Sequence, residues 1–591
     1  MDAPRVTRRG LTRRVAIETP ESVVLELELA GLGSRFAAAV ADMALLLLLL
    51  ISALLALAFL GGSKGLGAWA GAAIILVGFV ILWGYFALCE GLMNGQTPGK
   101  KAVGLRVVMD TGHPVTFAAA VTRNLLRVVD SQPGFLYFVG SVFIFFNGQH
   151  RRLGDLVAGT MVIRDRPTDQ RLALAVGVAV DASIMAEAPE LSDEEFRLLE
   201  QFLARREQFD PPVRTRVAQG LVRRFAERLP REARGVEGRL EALHTVEHAR
   251  RGGAMASARR GAAGATTRFI ARRQGAWESF RSAALEAEKS GLRTMTGEAL
   301  TVFAARYREA AADLARARTY GVDARVIDYL ERAVSAGHNA LYGLRGVARV
   351  PLRRLVLRDL PAAVWDARAY VFAAFLITAL PAISGYLLLR EQPARAAELL
   401  PDQMIARAEA GLSDSRQGIG YAQMPSPFLP IMASSIIANN VQVAIAAFAF
   451  GITAGIGTVW VLFFNGLSIG AVIGLFANYG LAGWLLTFIA GHGVLELTAI
   501  FIAGGAGLRI AHGLLVPGAL PRRDALVVAG RHALLLVAFA ACLLLLAGTI
   551  EGLLSASDAP SAIKLGVSGA SAVLLVLLAI EGRRAAKRVG E

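Results

Sequence analysis

Apolar runs and charged stretches alternate along this chain in a pattern that divides it into three. Two long apolar runs, 35–60 and 67–93, open it, and a mostly polar stretch fills 166–360. Six further apolar runs follow at about 366–389, 430–450, 453–477, 481–507, 531–550 and 563–581. A helix needs about 20 apolar residues to cross the hydrocarbon core, so these runs predict membrane spans. The extreme case is 439–508, seventy residues with no Lys, Arg or Asp and a single Glu. The fold class expected is an all-α polytopic membrane protein, with a cytoplasmic helical region and a few short β segments in the N-terminal unit.

Shorter patterns fill in the rest. RRVAIE and SVVLELELA, within 1–34, alternate like short surface strands, and β-like runs recur after the basic TPGKK patch and in TMVIRD. Residues 115–131 predict an amphipathic helix with Arg123 and Arg127 on one face. Pro133 breaks it, and the apolar run that follows is too short for a crossing, so 115–147 is expected to dip into the membrane and return. In the polar stretch, Ser192–Glu195 reads as a capping box, and Pro211–Pro212 as the end of that helix. Val217, Leu221 and Phe225 begin the next. The small, basic run 249–266 reads as a flexible linker. Three or four helices are expected between Phe269 and Arg345, with Trp277, Phe280, Leu285, Phe303, Tyr307, Leu314, Ile327, Leu330 and Tyr342 as bundle core.

Charge sets the topology. Of 591 residues 54% are hydrophobic and 19% charged, with a formal net charge of +15 and a mean hydropathy of +0.48. In a membrane protein such an excess marks loops facing the anionic cytoplasmic leaflet, and no nucleic-acid partner is expected. With six C-terminal spans the Arg353/Arg354/Arg358, Arg522/Arg523/Arg531 and Arg583–Arg588 clusters all fall in the cytoplasm, as do both termini, and the 391–428 loop lies outside. The only cysteines, Cys89 and Cys542, sit inside spans, which argues against a disulfide framework or a structural zinc site. The domain division expected is 1–165 membrane unit, 166–268 helical segment and linker, 269–360 helical bundle, and 361–591 six-span membrane unit.

Polar residues at membrane depth are the candidate chemistry, because they are costly there unless partnered. Asn440, Asn465, His492 and Glu496 stand out in the second membrane unit. His492 and Glu496 are four apart and share a helix face. If they bind an ion, a third ligand has to be Glu551 or an Asn. The spacing is not that of an HExxH protease. A packed hydrogen bond, ion or proton handling, and catalysis are the three readings of GHGVLE. Glycines 451, 455, 457, 466, 470 and 474 predict close helix packing, with a broken helix along a substrate path as the alternative. In the first unit Arg35 and Asp42 are seven apart on one face of the first span, and Arg35, Arg123 and Arg127 are the cations available to Asp42. Asp130 and Asp155 complete the candidates. No catalytic group, cofactor or metal site is assigned, and an enzyme is not expected.

Two resemblances add to this. GSRFAAAVAD, with Arg35 and Asp42, RRLGDLVAGT, with Asp155, and the stretches TPGKKAVGLRVV and RNLLRVVD resemble the RDD family of membrane domains. For some members of that family the resemblance implies sodium/proton antiport. FIARRQGAWESF, YREAAADLARARTYG, GHNALY, the NNV and FNG turns, GHGVLEL and IEGLL, over about 269–555, resemble the stage II sporulation protein M family. That second resemblance implies an envelope complex, and partners such as a MoxR-type ATPase system. The function expected is a membrane scaffold for other envelope or membrane proteins, with a homodimer as the default assembly. The rivals are a secondary cation/proton transporter and, more remotely, an intramembrane metal-dependent hydrolase.

Overall fold

The computed structural model describes residues 5–9, 12–18, 24–61, 67–132, 137–147, 149–165, 190–206, 209–229, 235–290, 292, 295–320, 322–342, 351–421, 429–557 and 559–590. Among them, eight helices are long and apolar enough to cross a membrane, two near the N-terminus and six beyond residue 367. The chain forms two compact units, one of residues 1–167 with 342–591 and the other of residues 168–341.

In the first unit, β1 (Arg5–Arg9), β2 (Thr12–Glu18) and β3 (Val24–Glu28) form an antiparallel sheet in that order. The alternation predicted β2 and β3 and passed over β1. α1 (Leu32–Gly61) is the first span. The second, Trp69–Leu92, runs through α2 (Gly67–Phe79), one π-helical turn and α3 (Tyr85–Leu92). Then come α4 (Pro98–Val103), β4 (Leu105–Met109), α5 (Phe117–Leu125), α6 (Arg127–Asp130), α7 (Phe138–Phe146), α8 (Leu153–Ala158) and β5 (Thr160–Arg164). The two β-like runs pair, β4 antiparallel to β5. A bridge from Leu29 to Ile163 joins this hairpin to the end of β3. The segment expected to dip as a hairpin is three short helices, α5, α6 and α7, none long enough to cross.

The second unit holds α9 (Asp193–Arg205), α10 (Pro211–Arg224), α11 (Val236–Ser290), α12 (Gly297–Thr319) and α13 (Ala324–Tyr342). The Ser192/Glu195 capping box is formed in both directions. Pro211, expected to end a helix, occupies the first turn of α10, where its missing N–H is not needed. The flexible linker expected at 249–266 is corrected: the backbone there is an uninterrupted part of α11. Alanine, arginine and methionine are strong helix formers, and they outweigh glycines that cost about 1 kcal/mol each. Trp277, Phe280, Phe303, Tyr307, Leu314 and Leu330 are buried as expected. Val326 and Tyr329 lie deeper than Ile327. Asp313, wholly buried, accepts from Trp277 Nε1 at 2.8 Å and Arg273 Nε at 2.7 Å, which fixes α11 against α12.

The remainder of the first unit begins with α14 (Leu352–Arg354), a π turn and α15 (Leu360–Asp366). α16 (Arg368–Glu391) crosses and leads to α17 (Ala396–Leu399) and α18 (Asp402–Arg416). α19 (Leu429–Ala449), α20 (Ile456–Asn478), α21 (Ala482–Ala490), α22 (Gly493–Leu515), α23 (Arg522–Ile550) and α24 (Ser561–Gly590) follow. The single span expected over 481–507 is corrected. It is broken at Gly491–His492 into the nine-residue α21 and the spanning α22.

Small residues set the helix spacing. A Cβ added at Gly466, Gly470 or Gly474 would lie 2.1, 1.8 or 2.8 Å from the carbonyl oxygens of Thr378, Ala382 and Tyr386 respectively. Both series advance by four, so α16 and α20 run parallel with their backbones in direct contact, and α20 is continuous. That is the packing reading of these glycines; the broken-helix alternative does not apply to them.

One apolar cluster of the first unit joins its N-terminal and C-terminal segments. Leu126, Val129, Leu153 and Val157, from α5 to α8, belong to the same cluster as Phe448, Leu462, Leu495, Ile502 and Leu536. The two segments approach closely at Gly530 on α23, where an added Cβ would meet Val157 Cγ1 at 2.5 Å.

Candidate functional site

Two polar clusters are built into the first unit, at opposite ends of its helices. The first gathers most of the N-terminal candidates. Arg35, on the opening turn of α1, and Arg123, on α5, both reach Asp155 on the first turn of α8. Arg35 Nη1 donates at 3.2 Å, and Arg123 Nε and Nη2 donate at 3.0 and 2.7 Å. Asp155 is wholly buried. Burial alone would favour its neutral form, but Arg123, Arg152 and Arg35 together outweigh that and hold it far below the usual carboxylate range. Arg123 bridges onward to Glu90 on α3, which also accepts from Lys100 and, at 2.9 Å, from Asn124 Nδ2. Asp130 accepts from the Leu153 N–H at 3.3 Å and lies 3.5 Å from Arg152. Arg127 stands apart from the carboxylates, bonded to the Tyr137 hydroxyl with its guanidinium 3.3 Å from the Phe86 ring centre.

Asp42 departs from expectation. Neither Arg35, Arg123 nor Arg127 partners it. The buried carboxylate accepts three hydrogen bonds, from Tyr85 Oη at 2.8 Å, Thr97 Oγ1 at 2.6 Å and the Gly99 N–H at 2.8 Å. Two of these come from the start of α4, where Thr97 is the N-cap and Pro98 sits in the first turn. A Cβ on Gly99 would stand 2.4 Å from the Ala38 carbonyl oxygen, so only glycine lets this helix end approach α1. Helix-terminal N–H groups suit a carboxylate without a counter-cation. The two arginines are already engaged at Asp155.

The second cluster is His492, Glu496 and Glu551. The break between α21 and α22 makes His492 the residue that starts α22, with Glu496 one turn on. Glu551 follows the last residue of α23. His492 Nε2 lies 3.7 Å from Glu496 Oε2 and 3.5 Å from Glu551 Oε1, and the three side chains offer ligand atoms all within 4.8 Å of one another. His492 Nδ1 is 3.1 Å from Ser555 Oγ, and the Phe488 ring meets the imidazole edge-to-face. Gly491 makes this possible, since an added Cβ would be 2.5 Å from Ser555 Oγ. Of the third residues the sequence offered beside His492 and Glu496, Glu551 is the one that lies against them. Asn440 bonds its neighbour Asn439, and Asn465 is half-buried on α20; neither joins the cluster.

Sequence reasoning missed Glu90, Lys100, Arg152 and Ser555. Glu90 carried a readable signal, an acidic residue inside an apolar run, like Asp42. Ser555 carried none.

The comparisons agree with this division. The RDD family matches residues 29–159, and the stage II sporulation protein M family matches 372–556. A domain of unknown function, DUF8413, matches 267–343, over α11 to α13. An uncharacterized protein of Haemophilus influenzae is 33% identical over 102 residues, which is 17% of this chain and 65% of that protein. The chain therefore spans somewhat under two thirds of the length of that curated relative. No solved structure matches. This multi-pass membrane protein joins an RDD-family segment to a stage II sporulation protein M segment, in that order.

Proposed function

We propose that the protein is a non-enzymatic membrane scaffold of an envelope-associated complex, seated in the cell membrane with both termini in the cytoplasm. The observation that carries the reading is the shared core, in which Val157 and Leu153 of the RDD-family segment belong to one cluster with residues of α22 and α23, and Val157 lies against Gly530 of α23. Two segments that share a core act as one body. The second unit, with its own helical core, supplies surface for protein partners, and the MoxR-type ATPase system implied by the family resemblance is the first to try. A second reading, cation or proton transport, is favoured by the His492–Glu496–Glu551 cluster.

Proteoliposomes separate the two. The scaffold reading expects no sodium or proton flux above protein-free vesicles, and stoichiometric recovery of an envelope partner after cross-linking in native membranes. Flux that disappears in Glu496→Gln would replace it with transport.

A further inference from the structure

The three acceptors at the α21–α22 break are arranged for a cation. With Nδ1 protonated toward Ser555, His492 presents the bare Nε2 lone pair to two carboxylates. Glu551 is only 7% exposed, yet its Oε2 has no hydrogen-bond partner. Lys564, a buried cation, donates to the carbonyls of Ser555 and Ser557 at 2.9 and 3.0 Å. Three converging groups with no cation between them cannot all be charged at low cost in a low-dielectric setting.

We infer that His492, Glu496 and Glu551 form a binding site for one borderline-soft divalent metal ion of the zinc class. Ligand atoms about 2.0–2.2 Å from a tetrahedral ion lie about 3.3–3.6 Å apart; Nε2 stands 3.5 and 3.7 Å from its two carboxylate partners, and all three ligand atoms lie within 4.8 Å of one another, so a bound ion would draw the carboxylates inward. The donor set of one imidazole nitrogen and two carboxylates suits zinc or cobalt better than calcium, which prefers oxygen alone. Two negative charges match a dication, leaving the site neutral. Ser555 holds the imidazole by its other nitrogen, the usual outer support of a metal-bound histidine. Three protein ligands leave a fourth position for water, and Glu496, a quarter exposed at its side chain, is the open side. The site stands whether or not the scaffold reading does.

The test uses full-length protein in detergent, stripped with chelator and equilibrated with zinc, or with cobalt for its visible tetrahedral spectrum. One equivalent of ion per chain is expected in the wild type. Glu551→Gln and His492→Ala should lose it, while Ser555→Ala should bind about tenfold more weakly. Asp42→Asn, on α1 and away from this site, should bind normally. If His492→Ala does not fold, Glu551→Gln and the graded loss in Ser555→Ala carry the test. Wild-type protein that elutes as a single folded species and takes up no ion overturns the inference, as does equal uptake by wild type and Glu551→Gln.

Discussion

Arg523, at the start of α23, donates a hydrogen bond to the carboxylate of Asp110, 413 positions earlier in the chain. The same carboxylate oxygen lies 3.6 Å from Arg151, whose side chain is fully buried. One acidic turn residue of the RDD-family segment therefore serves a cation from each side of the shared core.

The two partners of that carboxylate should not be equally sensitive to its loss. Arg523→Ala removes one of two cations from a partly exposed carboxylate, which keeps Arg151, and is expected to cost about 1 kcal/mol. Asp110→Ala takes the carboxylate from both Arg523 and the buried Arg151, leaving Arg151 the charge of Asp155 alone, at an expected cost of about 3 kcal/mol. Thermal unfolding in detergent should rank Asp110→Ala well below Arg523→Ala.

The two aspartates of the RDD signature should also separate. Asp155→Asn removes the negative charge that Arg35 and Arg123 share, with an expected loss of about 3–5 kcal/mol. Asp42→Asn keeps an acceptor for neutral donors and should lose only about 1–3 kcal/mol. Equal melting temperatures for the two variants would contradict the geometry.

Acid stability follows from Asp155. Its native pKa is depressed, so the stabilisation it gives is fully present above the unfolded value of about 3.9 and drains away as the pH falls through the lower native value. Melting temperature should carry no contribution from Asp155 titration between pH 8 and pH 5, and should fall steeply in stronger acid. The check is a pH series on wild type, with Asp155→Asn as the variant from which that acid limb is missing.

Glycine substitutions test the α16–α20 contact. Gly470→Ala drives a Cβ into the Ala382 carbonyl, and overpacking of this kind costs about 1–3 kcal/mol or more. Gly566→Ala, on α24 with nothing within 4 Å, should be neutral or stabilise by about 0.5–1 kcal/mol.

The spans were legible because each is a long local run, and the eight expected crossings meet eight helices, among the described residues, that are long and apolar enough to cross. The strand pair β4–β5 was legible for the same reason. What stayed hidden depends on distant partners. The break at Gly491–His492 sits in an apolar run, and only the fit of Gly491 against Ser555 reveals it. Asp42 and Arg35 lie on one face of α1, which suggests a common site, yet Asp42 turns to α4 while Arg35 reaches α8. Spacing along one helix says which residues share a face, and not which neighbour that face meets. The linker misjudged at 249–266 shows a composition of small residues mistaken for looseness when alanine and arginine favour helix.

The contact of Val157 with Gly530 gives covalent linkage a thermodynamic meaning. Two separate membrane proteins bearing these faces would have to find each other by diffusion in the plane of the bilayer, and their pairing would depend on how many copies the cell makes. Carried on one chain, the faces meet by intramolecular closure, at a local concentration of the order of millimolar for a flexible tether. Pairing then no longer depends on expression level. A modest interface suffices, and every copy made carries both halves in equal number.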